Sequence, residues 1–278
     1  MNLRTMTASD IPAGMQLKDL AGWNQTPADW RRFLADSPRG CFVAEVEGRV
    51  VGTAATIVYE GRLAWVGMVL VDPEFRGRGI GTRLLEKTIE HLDAGGIRTM
   101  KLDATPQGRP IYEKLGFESE YEIERWRLKR PAPETAAASG PGQVPNGVLQ
   151  LDREIFGADR GQLLRSLATD APEFALVTGQ HGEIAGYAFG RRGTLADHLG
   201  PWMARDARAA AELLDEFLRR SRRETVFVDS LKSRSFVTEL LLERGFQFSR
   251  PLTRMVRGPN DYPGRPDLLC AILGPEFG

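Results

Sequence analysis

The residues of this chain best suited to chemistry lie in one short run, Arg76-Gly77-Arg78-Gly79-Ile80-Gly81-Thr82. The run follows a Val-rich stretch that reads as a strand and opens an amphipathic stretch that reads as a helix. A helix start carries orphan backbone N–H groups and the positive end of the helix dipole, and glycine lets an anion come close to the backbone. The chemistry implied is the grip of a phosphate. Two familiar nucleotide patterns fail on spacing. A dinucleotide fingerprint from Gly77 needs glycine where Thr82 stands, and a P-loop needs glycine at 82 followed by lysine where Arg83 stands. Gly-rich turns with arginines also occur in ordinary loops, and Arg-Gly-Arg segments coat RNA without specificity. The flanking strand and helix are what favour a built anion site.

The elements that must position this run read as a mixed α/β domain. Asn2 to Met6 forms a strand, and Asp10 to Trp23 and Pro27 to Leu34 have helical spacing, with Thr26 as N-cap and Pro27 at the first helical position. Cys41 to Val46 and Val50 to Tyr59 form a hairpin about Glu47-Gly48-Arg49, and Trp65 to Val71 is the next strand. After the Asp72-Pro73 turn, Leu84, Leu85, Thr88, Ile89 and Leu92 share one face of a helix from about Gly79 to Leu92, with Gly95 at its end. A strand at Thr99 to Leu102, a short helix at Pro110 to Leu115 and a strand ending near Leu128 complete a largely antiparallel sheet.

The second half repeats this grammar. Leu84-Leu85 corresponds to Leu213-Leu214 and Ile111–Phe117 to Leu240–Phe246, both at an interval of 129 positions. The Pro/Gly/Ala-rich run from Lys129 to Gly147 reads as a linker. The fold class is therefore α/β with two tandem domains, each a mixed, largely antiparallel sheet flanked by helices: residues 1–130, a linker at 131–147, and residues 148–278. A length of 278 residues suits two modest cores, and 37 basic against 37 acidic side chains leave no overall field to draw nucleic acid or an anionic membrane. Two cysteines far apart argue against a disulfide-stapled secreted fold, so a reducing cytoplasm is the expected setting. No membrane partner is expected.

Val71-x-Pro73-x-x-Arg76-x-x-Gly79-x-Gly81 resembles the cofactor motif of the GNAT superfamily of N-acetyltransferases, and Ile111-Tyr112-Glu113-Lys114-Leu115-Gly116-Phe117 resembles a later motif of the same family. The resemblance covers residues 1 to 128, and residues 148 to 257 as a diverged second copy. It implies acetyl-CoA as cosubstrate and transfer of its acetyl group to a primary amine in a ternary complex. The acceptor would be a small molecule or a peptide, acted on by a monomer or homodimer. By the resemblance, Gly77, Gly79, Ile80, Gly81 and Thr82 hold the diphosphate, Arg76 and Arg78 add charge, and Val69, Leu70 and Val71 offer a strand edge to the pantetheine. A main-chain N–H near Leu70 polarises the acetyl carbonyl, and Tyr112 is the catalytic acid. Thr105 stands where the family often has asparagine, and Trp23 and Asn24 match the acceptor wall. The strand from Trp65 to Val71 carries no carboxylate to act as base; Asp103, Glu60 and Asp72 are candidates, Asp72 serving equally as a turn cap.

In the second half Arg208 falls at Gly79, Ala210 at Gly81 and Leu241 at Tyr112. That half is expected to bind no acetyl-CoA, to brace the first domain and to contribute a wall of the acceptor cleft, with His198, Trp202 and Asp229 as weak contacts and His198, a lone histidine, left out of the site. A non-enzymatic acyl-CoA sensor is the alternative reading.

Overall fold

The computed structural model describes residues 1–132, 144–180 and 183–278, apart from the side chain of Gln180. Most of the expected linker, and His181 and Gly182, lie outside the described residues. The chain divides into two compact units. The first comprises Met1–Ser119, Met255–Asp261 and Phe277; the second comprises Glu120–Arg254, Tyr262–Glu276 and Gly278.

The first unit runs β1 (Asn2–Thr5), α1 (Ile11–Leu20), α2 (Pro27–Asp36), β2 (Phe42–Val46), β3 (Arg49–Tyr59), β4 (Leu63–Val71), α3 (Ile80–Ala94), β5 (Thr99–Ala104) and α4 (Arg109–Lys114). Thr26 and Pro27 open α2 as expected, the Thr26 N–H donating to Asp29 Oδ2 at 2.7 Å. Glu47 and Gly48 both take positive φ, which a two-residue turn needs to match the twist of β2 and β3. β1 to β4 pair antiparallel in chain order, whereas β5 joins β4 in parallel. The expected face of α3 is the buried one, and it covers Ala64, Val66, Met100 and Leu102 of the sheet. Met255 and Phe117 close the same core.

The second unit runs β6 (Glu118–Lys129, from Glu120 onward), α5 (Asn146–Phe156), α6 (Gly161–Asp170), β7 (Leu176–Gln180), β8 (Glu183–Arg192), β9 (Asp197–Ala204), α7 (Ala207–Arg220), β10 (Thr225–Leu231), α8 (Ser235–Glu243), β11 (Gln247–Arg257, to Arg254) and β12 (Leu269–Ala271). Its β7, β8 and β9 pair antiparallel, and β9 meets β10 in parallel, as β4 meets β5. β6, read from the sequence as the last strand of the first half, pairs antiparallel with β10 over Ile123 to Lys129. The register sets Arg125 opposite Asp229, and the two form a double hydrogen bond at 2.7 Å. Burial alone would raise the Asp229 carboxyl, but the paired guanidinium overrides it and holds it well below the usual carboxylate range.

The repeat is legible in detail. Phe117 and Phe246 are both buried, and each donates its N–H to the residue five before it, Tyr112 and Leu241, across a left-handed glycine, Gly116 and Gly245. His198, Trp202 and Asp229, offered by the sequence reading to an acceptor, are instead fully buried in the second unit, with Asp229 held by Arg125 and His198. Among the described residues, no helix is long and apolar enough to cross a membrane.

Candidate functional site

β4 and α3 build the site. β5 hydrogen-bonds β4 only at Leu63, Ala64 and Trp65; beyond Trp65 the two strands part, and among the described residues no strand pairs with that edge of β4. On its other edge β4 matches Leu70 to Thr53 but Gly67 to Ala55, so β4 carries an extra residue, a bulge. Met68 sits at φ +54 there, and its carbonyl accepts from Thr53 Oγ1 at 2.8 Å. A side chain in the left-handed region is strained. The bulge falls at Met68 and Val69, next to the point where β4 and β5 part, and regular pairing with β3 resumes at Leu70 and Val71. Val69 and Val71 are half-buried, Leu70 buried.

The loop from β4 to α3 spans residues 72–79. Asp72 is buried, accepts from the Glu74 N–H at 3.0 Å and pairs with Arg49, so its carboxylate serves the turn. Arg76 to Gly79 are exposed. Arg76 Nε donates to the Val71 carbonyl at 3.2 Å, and Arg78 lies over the Phe75 ring at 4.9 Å while donating to the Glu74 carbonyl. These bonds fix two cations at the mouth of the loop. Gly77 and Gly79 adopt φ of +76° and +74°, and a Cβ added to either would meet nothing within 4 Å. Gly79 is the N-cap of α3 and, having no side chain, caps nothing. Among the described residues nothing accepts from the N–H groups of Gly77 to Thr82; the first bond inside α3 is Arg83 to Gly79. A helix start with open space above uncapped amides is an anion cradle.

Tyr112 stands on α4, edge-on to Phe117 with ring centroids 6.1 Å apart. Burial pushes its phenol up to about 12. Among the described residues no group hydrogen-bonds its hydroxyl, which stays protonated and available. Thr105 Oγ1 accepts from the Gly108 N–H at 3.2 Å, securing the turn that starts α4, and a Cβ on Gly108 would come within 3.0 Å of the Tyr112 ring. Trp23 and Asn24 lie in the turn between α1 and α2, where Trp23 donates its N–H to the Lys18 carbonyl at 2.9 Å and Asn24 is buried. The sequence reading missed Lys18, a buried ammonium that meets Asp19 at 2.5 Å and the Trp23 carbonyl at 3.3 Å. Nothing but its place among apolar neighbours marked it. It also missed the bulge, whose one sign was Gly67.

Comparison with known proteins agrees with the two-unit reading. A model of the Acetyltransferase (GNAT) family matches residues 14–117, and one of the Acetyltransferase (GNAT) domain matches residues 148–270. The chain is 25% identical over 237 residues to the uncharacterized N-acetyltransferase YitH of Bacillus subtilis, covering 84% of this chain and 83% of that protein. It is 27% identical over 183 residues to the holothin acyltransferase of a Pseudoalteromonas species, covering 64% of this chain and 61% of that one. A crystal structure from Pyrococcus horikoshii, provisionally described as an acetyltransferase, shares the fold with a TM-score of 0.80 at 23% identity over 100% of this chain and 95% of its own. A GCN5-related N-acetyltransferase from Sphaerobacter thermophilus shares it with a TM-score of 0.65 at 18% identity, over 95% and 96%. With a GNAT domain in each half, the chain belongs to the GNAT family of acetyltransferases as a tandem member, and is an acyltransferase.

Proposed function

We propose that the first unit binds acetyl-CoA and transfers its acetyl group to a primary amine, of a small molecule or a peptide, by direct attack in a ternary complex. The observation that carries this reading is the start of α3, where uncapped amides face open space behind two left-handed glycines. In this reading the amides of Gly77, Gly79, Ile80, Gly81 and Thr82 hold the diphosphate, with the Arg76 and Arg78 guanidinium groups at the rim. Val69, Leu70 and Val71 offer the parted edge of β4 to an amide-bearing arm as one strand does to another.

Acetyl-CoA supplies an acyl group activated as a thioester. In this reading a main-chain N–H near Leu70, on the parted edge of β4, donates to the acyl oxygen as charge builds on it, and a fixed backbone dipole of this kind needs no reorganisation. An alkyl ammonium loses its proton near pH 10.4 and attacks only afterwards, so the acceptor delivers one proton to solvent before the C–N bond forms. As the C–S bond breaks, the departing thiolate takes a proton from the Tyr112 hydroxyl, and the second proton, shed by the newly acylated nitrogen, returns to the Tyr112 phenolate through water. Thr105 sets the turn that holds Tyr112, and Trp23 and Asn24 form a wall of the acceptor pocket. The test is release of free thiol from acetyl-CoA against a panel of amines. Amine-dependent release supports the reading; cofactor binding with no release from any acceptor contradicts it.

A further inference from the structure

The second unit has the same parting between parallel strands, and it is filled. β9 meets β10 at Asp197, His198 and Leu199, then the two separate at Gly200, as β4 and β5 separate after Trp65. Into the gap runs β12, antiparallel to both neighbours, with Ala271 opposite both Trp202 and Ser230, and Leu269 opposite Met203. The Ala204 N–H donates to the Leu268 carbonyl at 3.2 Å, and the Ile272 N–H to the Asp229 carbonyl at 3.0 Å. The segment from Cys270 to Leu273 is fully buried. Its backbone lies so close to β9 that a Cβ on Gly200 would sit 1.9 Å from the Ile272 carbonyl oxygen.

The anion cradle of this unit is closed as well. Between β9 and α7 only Arg205 and Asp206 remain, against residues 72–79 in the first unit. Asp206 is the N-cap of α7, and its carboxylate accepts from the Ala209 N–H at 2.8 Å. A negative side chain already occupies the place where an anion would sit. Arg208, which the sequence repeat sets at the place of Gly79, stands inside α7 and pairs with Glu212 at 2.9 Å.

We infer that Leu269–Ala271 is the resident occupant of the second unit's acyl-carrier slot, standing where an amide-bearing arm would lie, so that the chain takes one acetyl-CoA and not two. An extended peptide suits this place because it presents N–H and C=O groups to both strand edges, and unlike a bound molecule it is never lost. The inference rests on the proposed function of the first unit for its cofactor count, but not for the closure itself. Amide hydrogen exchange of the full chain, with and without saturating acetyl-CoA, separates the two. The amides of Leu269 to Ile272 should exchange slower than free peptide by on the order of 1,000-fold or more, in step with those of Val226 to Ser230, and acetyl-CoA should leave them unchanged. Fast exchange at these amides, or slowing when acetyl-CoA is added, overturns the closure, as does binding of two equivalents in a titration. If they are protected but no amide in residues 66–71 or 77–82 responds to acetyl-CoA, the closure stands and the first unit's proposed function fails.

Discussion

Tyr112 holds its proton across the working pH range, since burial lifts its phenol to about 12. An acid so placed stays protonated until a thiolate is expelled beside it, and it adds no falling limb to a pH profile until pH approaches about 12. The rate should therefore climb with pH as the acceptor ammonium, of reference pKa about 10.4, gives up its proton. Tyr112→Phe should lower kcat by about 100-fold or more while leaving the dissociation constant of acetyl-CoA within a few-fold, because the phenol acts in turnover. Pre-steady-state kinetics and calorimetry check the two halves of that statement, and equal losses in both would assign Tyr112 to binding. Tyr112 was legible in the sequence because a motif surrounds it. Met68 was not, because a left-handed methionine follows from the register between β3 and β4 and not from its own side chain. The two cysteines, whose distance in sequence argues against a disulfide-stapled fold, are both free and buried, burial pushing Cys41 up to about 12 and Cys270 up to about 11.

At the scale of elements, α3 and α7 are copies of one helix with opposite starts. Gly79 leaves α3 uncapped and Asp206 caps α7. Asp206→Ala should therefore cost about 1 kcal/mol of stability, read by chemical denaturation, and leave acetyl-CoA affinity unchanged. A loss of affinity would place the anion at the wrong helix. The β6–β10 pair carries a second expectation. Arg125→Ala strands the buried Asp229 carboxylate and should destabilise the chain by about 3 kcal/mol, more than a surface ion pair ever costs. Helix faces, the first hairpin and the α3 start were all readable from periodicity and turn chemistry. The partner of β6 was not, because alternation along a strand tells which face is buried and says nothing about which strand lies beside it.

At the scale of the whole molecule, the sequence repeat and the compact units differ in extent. The 129-residue interval divides the chain near its middle, yet Met255–Asp261 and Phe277 belong to the first unit. Thr99 Oγ1 donates to the Pro259 carbonyl at 2.7 Å, Arg257 pairs with Asp93 at 3.1 Å, Tyr59 donates to the Phe277 carbonyl at 2.8 Å, and Phe277 stacks on Phe33 at 4.9 Å. A fragment of residues 1–130 lacks every one of these partners and should show no cooperative thermal transition, whereas the full chain should. A fragment that melts like the full chain would show that the returning segments contribute nothing. The linker run between the halves gave no warning of this return, since contacts between distant segments leave no local pattern.

The amides that open α3 carry the proposed cofactor site. Calorimetric titration of acetyl-CoA into the full chain and into Gly79→Trp tests that site most directly, because a Cβ at Gly79 meets no neighbouring atom, and what tryptophan disturbs there, the open space and the left-handed backbone at φ +74°, belongs to the cradle. The parent chain should bind one equivalent and the variant should bind at least about 100-fold more weakly, with circular dichroism unchanged. Undiminished binding by a folded Gly79→Trp chain would contradict the assignment of the diphosphate to that helix start.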